Sequence, residues 1–239
     1  SYKQLVKFVE DFKIIENKYK QLIEALQNRT ELLELLTVIS TTFISLNSED
    51  TDEEISCVLE LVGKYSDFDR CYVFLFSKDG KIMNKTHEWC SEEIEPRIQN
   101  LKELSVDTFP WLMERIKSLD IIYILSVANL PSSASTEKRF FKSQKAHSAI
   151  IIPMFDGNSI VGFLGFDSVS SKVIWSKENV ELLQVLSKIL VSALKCKHRE
   201  EALSQNHEEF KKKENYFEEE EKDLIAELIK DDKQIHFEF

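Results

Sequence analysis

Apolar residues near the start of the chain recur in alternating steps of three and four: Leu5, Phe8, Phe12, Ile15, Tyr19, Leu22 and Leu26. That spacing predicts a helix with one apolar seam, as in a two-stranded coil or a helix pair. A homodimer through these seven residues is the expected partner, although aromatic seam residues also suit packing within one chain. Arg29 falls where the next seam residue is due, so Asn28-Arg29-Thr30 reads as an interruption. Thr30 is placed to cap a second helix, with Leu32, Leu33, Leu36 and Ile39 facing a core.

The other end has a different pattern. From Ser176 to Cys196 the chain is dense in apolar residues (Leu182, Leu183, Val185, Leu186, Ile189, Leu190, Val191), as a core-docked helix requires. Beyond Lys195 only Leu203, Phe210, Phe217 and Leu224 recur, at intervals of seven. The alternate seam positions carry Asn206, Lys213, Glu220 and Glu227, and Glu218 to Glu221 form a self-repelling run. One apolar residue per heptad predicts a helix whose pairing can be shifted rather than a rigid strut. Residues 223–239 regain apolar character and read either as the start of another unit or as a frayed end.

Glycine and proline divide these flanks from the middle. All five glycines lie between Gly63 and Gly165 and all four prolines between Pro96 and Pro153. The flanks therefore contain no helix breaker. In the middle, residues 71–76 and 81–87 are strand-like runs on either side of Asp79-Gly80, and 148–155 and 159–166 flank Asp156-Gly157-Asn158. Both predict hairpins, with positive φ supplied by the turn residues. A short strand is expected at 121–124 and helices at about 51–63, 107–119, 134–145 and 176–196. Five strands in antiparallel hairpins, with helices packed against one face, make an α+β domain.

Composition narrows the function. The 239-residue chain has a net charge of -11, the wrong sign for the basic stripe that nucleic-acid binding needs. No stretch approaches the roughly 20 apolar residues of a membrane span, and the amphipathic start is unlike a signal peptide. A cytoplasmic location is expected, with an anchor upstream in a longer parent left open. Cys57, Cys71, Cys90 and Cys196 show no paired or zinc-like spacing and read as reduced thiols. Cys57 is expected on a core face, Cys71 on a core strand and Cys196 at a helix end.

The residues of the middle also carry a resemblance. Asp69-Arg70-Cys71-Tyr72-Val73-Phe74, Thr86-His87-Glu88-Trp89-Cys90, Phe109-Pro110-Trp111, Ile152-Pro153-Met154, Gly162-Phe163-Leu164-Gly165-Phe166-Asp167 and Trp175-Ser176 resemble a GAF-domain subgroup of bacterial and archaeal sensor histidine kinases and diguanylate cyclases. The resemblance covers about 32–200. It implies a PAS-like antiparallel sheet of five or six strands between long signalling helices, divided as 1–31 coiled-coil-like helix, 32–196 GAF domain and 197–239 signalling helix or linker. It also implies a non-enzymatic sensory module that binds an unknown small-molecule ligand, or dimerises, and passes a change to an output domain. The rival readings are a ligand-free dimerisation module and a GAF-type redox enzyme.

The candidate ligand-contacting residues are His87, Trp89, Cys90, Phe109, Trp111, Lys138 and His147. Strand alternation sends His87 and Trp89 to one face and Glu88 and Cys90 to the other, which disfavours a metal held by His87 and Cys90. Asp107 or Thr108 is expected to cap a helix with Pro110 in its first turn, and Trp111 either covers a ligand cavity or closes the core. In the family architecture Lys138 and Arg139 lie on a helix beside the cavity, where they could pair an anion or stay solvated. His147, at a strand start, could face the pocket or serve as a boundary residue. No Cys-His pair of the bilin-attaching type occurs, and the Asn-Lys…Phe…Asp-Glu pattern of cyclic-nucleotide-binding members is not met. Gly162 and Gly165 lie in a strand, where glycine marks a bulge or a close approach.

Overall fold

The computed structural model describes residues 2–44, 50–169 and 176–235. Two compact units are present, Ser1–Leu194 and Lys195–Phe239. In the first, α1 (Tyr2–Ile44) and α2 (Thr51–Tyr65) precede a six-stranded antiparallel sheet. Its strands are β1 (Arg70–Phe76), β2 (Ile82–Cys90), β3 (Leu104–Ser105), β4 (Ile122–Ile124), β5 (Ser148–Asp156) and β6 (Ser159–Ser168). They lie in the order β3-β2-β1-β6-β5-β4. α3 (Pro110–Lys117) and α4 (Ser135–Ser143) occupy the connections on either side of β4, and α5 spans Lys177–Ile235. The family word Trp175 lies outside the described residues.

Helices cover both faces of the sheet, which corrects the one-sided expectation. Strands β1, β5 and β6 are apolar at both parities, so neither face can be left to water. Cys71, Val73, Ile150, Ile152, Leu164 and Phe166 face a first core shared with Leu32, Leu35 and Ile39 of α1, Leu59 and Val62 of α2, and Leu182, Leu186 and Leu190 of α5. Tyr72, Phe74, Met83, Ala149, Ile151 and Phe163 face a second core shared with Trp111, Leu112 and Ile116 of α3 and Phe141 of α4.

Local chemistry explains the connections and three further corrections. The second hairpin closes through a two-residue loop with Gly157 at φ 60, a geometry glycine adopts without strain, while the first uses a longer loop with Gly80 at φ 69. Thr30 does not cap a helix. α1 continues through it, and the Thr30 hydroxyl donates to the Leu26 carbonyl one turn back, since neither Asn28 nor Arg29 lacks the N–H that a helix needs. Leu33 is exposed, and Leu35 takes its place in the 32/35/36/39 stripe. Asp107 and Thr108 lie in a short turn, and α3 begins at Pro110 without a side-chain cap. Pro110 suits the first helical position because its missing N–H would be unpaired there.

Along α1, Phe8, Phe12, Ile15, Tyr19, Leu22 and Leu26 are all exposed, from 51% to 67%. In the second unit the described side chains of 195–217 are largely exposed, including Leu203, Phe210 and Phe217. The side chains of Leu5 and of 223–239 lie outside the described set.

Candidate functional site

Ionisable groups are buried together at one end of the second face. Arg70 opens β1, and its register partner across the ladder is Asp167 near the end of β6. Its Nη1 lies 3.4 Å from Asp167 Oδ2 and 3.3 Å from the Gln144 carbonyl. The Arg70 Nε lies 3.5 Å from Glu88 Oε1, which Lys85 Nζ approaches to 2.6 Å. The side chains of Arg70, Asp167, Lys85 and Glu88 are all at most 2% exposed. Tyr72 donates its hydroxyl to Asp167 Oδ1 at 3.0 Å, and Lys85 Nζ lies 4.4 Å from the centre of the Tyr72 ring. The cluster thus pairs two cations with two carboxylates, as burial of charge demands.

Two backbone features assemble it. The β1–β2 register passes from Val73↔His87 to Phe74↔Lys85, leaving Thr86 as an unpaired extra residue. This bulge reverses the pleat, so Lys85 and Glu88 reach the same side despite being three apart. Gly165 is the second device. A Cβ there would lie 2.0 Å from Tyr72 Cε2, so only glycine lets the ring lie across β6 towards Asp167. A Cβ at Gly162 would likewise lie 2.0 Å from the Phe74 carbonyl oxygen. The expectation of close approach at both glycines holds.

The cluster also anchors the connection after β2. Glu88 Oε2 accepts from the Arg97 N–H at 2.6 Å, and the Lys85 N–H donates to the Leu101 carbonyl. Burial raises the Asp167 carboxyl to about 6, against the opposing pull of Arg70 and Lys85. Burial pulls the Lys85 ammonium below its usual range, with Glu88 favouring the charge. Burial and Asp167 push the Tyr72 hydroxyl well up, which keeps it a donor.

Because the folded value of Asp167 lies above its ordinary 3.8, this group supports the fold at low pH and loses that contribution as pH rises through about 6. Replacing Asp167 with Asn removes this dependence. The variant-minus-wild-type difference in unfolding free energy is expected to move in the variant's favour by about 2 kcal/mol between pH 4 and pH 7. Urea melts of both proteins at the two pH values check it.

The sequence-predicted residues do not all converge on this cluster. His87 and Trp89 face α2: the His87 ring lies 2.9 Å from the Thr86 hydroxyl and 3.3 Å from Asp52 Oδ1, and Trp89 packs on the first core beside Gly63. Cys90 lies on the opposite side, beside Arg70, and burial raises its thiol above the usual range. A thiol shifted that way is a poorer nucleophile. Phe109 and Trp111 are buried in the second core, and the Arg115 guanidinium stacks on the Trp111 ring at 4.1 Å. Lys138 donates to the Ala128 and Leu130 carbonyls, fastening the connection before α4, while Arg139 is exposed. His147 is exposed and lines an open cleft of about 590 Å³ with Lys142, Lys145 and Val127. Cys71 is buried as expected, but Cys57 is exposed, because α2 turns Ile55, Val58, Leu59 and Val62 to the core instead. Cys196 is exposed within α5 rather than at a helix end.

Sequence reasoning missed Arg70, Lys85, Glu88 and Asp167 as a group, although each lies within or beside a motif already singled out. The available signal was charge inside a strand: a residue such as Arg70 at the head of an apolar run needs a buried partner.

This sheet, with helices on both faces and long helices before and after it, defines a sensory-domain fold. Residues 50–194 match the family model of the GAF domain, and the chain belongs to the GAF domain family. The Methanogenesis regulatory histidine kinase FilI of Methanothrix harundinacea (strain 6Ac) is 33% identical over 140 residues, covering 57% of this chain and 16% of that protein. The chain therefore spans a small part of the curated relative's length. The phycocyanobilin-bound GAF domain of a cyanobacterial phytochrome superposes with a TM-score of 0.59 at 18% identity, over 71% of this chain and 96% of that one. The chromophore-binding domain of a bacteriophytochrome from R. palustris gives 0.60 at 15% identity, over 72% and 63%. These likenesses show the fold. No helix among the described residues is long and apolar enough to cross a membrane.

Proposed function

We propose that this chain is the input module of a longer signalling protein, binding a small ligand on the second face of the sheet and relaying the change through α1 and α5. The observation carrying this reading is the buried four-charge cluster tied to the connection after β2. A fold seeking stability alone gains little from burying ion pairs, because apolar residues of the same shape serve as well or better. A polar cluster held in place by a bulge and a glycine suits recognition of a polar molecule. The bilins named for the solved neighbours support small-molecule binding by this fold, although this chain lacks the adjacent Cys and His of bilin attachment. The regulatory kinase relative supports a histidine-kinase output.

Dimerisation through the α1 seam belongs to the same reading. Six apolar side chains spaced by three and four and exposed along one helix fit a second copy of that helix. Changing Phe12 and Tyr19 together to Glu is expected to convert a dimer to a monomer in sedimentation, with the fold's circular dichroism unchanged. A wild-type monomer at tens of micromolar would remove the coil from the proposal. Native mass spectrometry of the whole chain tests the ligand part, where a bound mass lost on Arg70→Met supports it. Absence of any bound mass, together with no response to a metabolite panel, would leave the dimerisation module as the better reading.

A further inference from the structure

Charge also gathers at the open cleft before β5, and there it is left unpaired. The cleft measures about 590 Å³, the size of a small-molecule site. Lys142, Lys145, His147 and Ser126 line it with polar groups, while Val127, Ala146 and Val169 give it an apolar wall. No lining residue is acidic, in a chain whose net charge is -11. Among the described residues neither lysine ammonium is in an ion pair. Asp69, the carboxylate bound to a lining residue, is already engaged: its Oδ2 accepts from the Val169 N–H at 2.6 Å and the Ser168 hydroxyl at 3.2 Å.

The way α4 ends builds the cationic side. The Ala146 N–H donates to the Phe141 carbonyl and the Lys145 N–H to the Lys142 carbonyl, each at 3.0 Å. These two bonds close a helix on a left-handed residue, usually glycine because a Cβ is disfavoured there. Here that residue is Lys145, at φ 59. Lys142 already supplies a cation to the helix C-terminus. What Lys145 adds, against the backbone preference, is a second ammonium on the cleft, three residues along the same side of the last turn.

We infer that this cleft binds a small organic acid, its carboxylate among Lys142, Lys145 and the His147 ring and its hydrocarbon body against Val127, Ala146 and Val169. This rests on the sensory reading above and gives its ligand a chemical class. The donors select an anion: both ammoniums donate, and the His147 ring has an N–H to donate in either tautomer. The apolar wall selects a body. Inorganic phosphate would leave that wall against water, whereas hydrocarbon covers it. Residues 144–147 join the cleft to the buried cluster. The Gln144 carbonyl accepts from Arg70, and the His147 N–H donates at 2.8 Å to the carbonyl of Ser168, next to Asp167. The His147 carbonyl accepts from the Val127 N–H at 2.9 Å, so the cationic and apolar sides both hang on this segment.

The probes are hexanoate and benzoate, with hexanamide and benzamide as neutral counterparts and inorganic phosphate as a charge without a body. The readout is the backbone amide signals of Val127 and His147 in nitrogen-15 correlation spectra of the whole chain. The expected result is a saturable shift with both acids, none with the amides, and weaker binding of phosphate. Lys145→Gly should melt at a higher temperature than wild type, because glycine suits the left-handed position. It should also weaken acid binding at least about tenfold, as loss of a charge-assisted hydrogen bond does. Damage to the fold would not raise the melting temperature while lowering affinity. Lys142→Gln should weaken binding to a similar degree. If the amides shift these signals as strongly as the acids, charge selects nothing and the anion assignment is overturned. If phosphate binds as tightly as the acids, the apolar body is overturned. If both lysine variants bind the acids as wild type does, the proposal fails. If the acids leave these signals still while other compounds shift those of Tyr72 or the Arg70 guanidinium, the cleft site falls and the sensory reading stands. If no compound of any class moves either set of signals, both fall.

Discussion

Arg70→Met is expected to destabilise the domain by about 3–5 kcal/mol, a loss typical of breaking a buried charge pair from one side. The methionine fills much of the volume, so the cost is electrostatic. Asp167 loses the guanidinium 3.4 Å away, Glu88 loses one of its two cations and keeps Lys85 and the Arg97 N–H, and the Gln144 carbonyl loses its donor. The pH dependence separates this from a packing defect. Without Arg70 the Asp167 carboxyl rises beyond its already elevated value of about 6, so the variant should be weakest above pH 6. It should regain part of the loss as Asp167 becomes protonated on acidification. Adding Asp167→Asn to Arg70→Met should recover stability at pH 7 relative to the single variant, the non-additivity expected of groups in one network. Denaturant melts of the four proteins at pH 5 and pH 7 measure this cycle. Equal losses at both pH values would show that Arg70 acts through its hydrocarbon stem alone.

Gly165→Ala is the second large effect, at about 2–4 kcal/mol, combining overpacking with loss of a hydrogen bond to a carboxylate. The new methyl would lie 2.0 Å from Tyr72 Cε2 and 2.5 Å from the hydroxyl oxygen, so the ring must leave its place. With it goes the hydrogen bond to Asp167 Oδ1 and the face over which Lys85 lies. Tyr72→Phe provides the comparison: it removes the hydroxyl without moving the ring and should cost only about 1–2 kcal/mol. Adding Tyr72→Ala to Gly165→Ala tests the mechanism, because the clash disappears with the ring. The double variant should then be less destabilised than the sum of the two single changes. Strict additivity would mean that the β6 backbone, not the Tyr72 ring, sets the requirement for glycine.

Much of this protein was legible in the order of its residues. Steps of three and four along α1 and the apolar density of 182–191 place two helices, because a 3.6-residue period shows in the sequence whatever the helix packs against. The turn residues around Gly80 and Gly157 place both hairpins for a local reason, as positive φ is available to few residues. Glycine at 162 and 165 signalled close approach before its partner was known. The family words carried the GAF identity, and Cys71 on a core strand followed from the apolar run around it.

What the tertiary structure alone decided is where charge is buried. Lys85 and Glu88 share a face only because the register slips at Thr86, and a bulge arises from how two strands pair rather than from either strand's composition. Arg70 meets Asp167 across 97 residues, a distance no local period spans. Helices cover both sheet faces because β1, β5 and β6 are apolar at both parities, yet which helix covers which face depends on chain direction through α1, α2 and α5. Cys57 faces solvent, Leu35 rather than Leu33 faces the core, and Thr30 lies inside a continuous helix. The first two turn on a rotation of about 100° per residue, which the sequence predicts only once the helix's contacts set its phase. Periodicity thus named the elements of this sensory domain, and long-range pairing placed the charged groups from which its function is read.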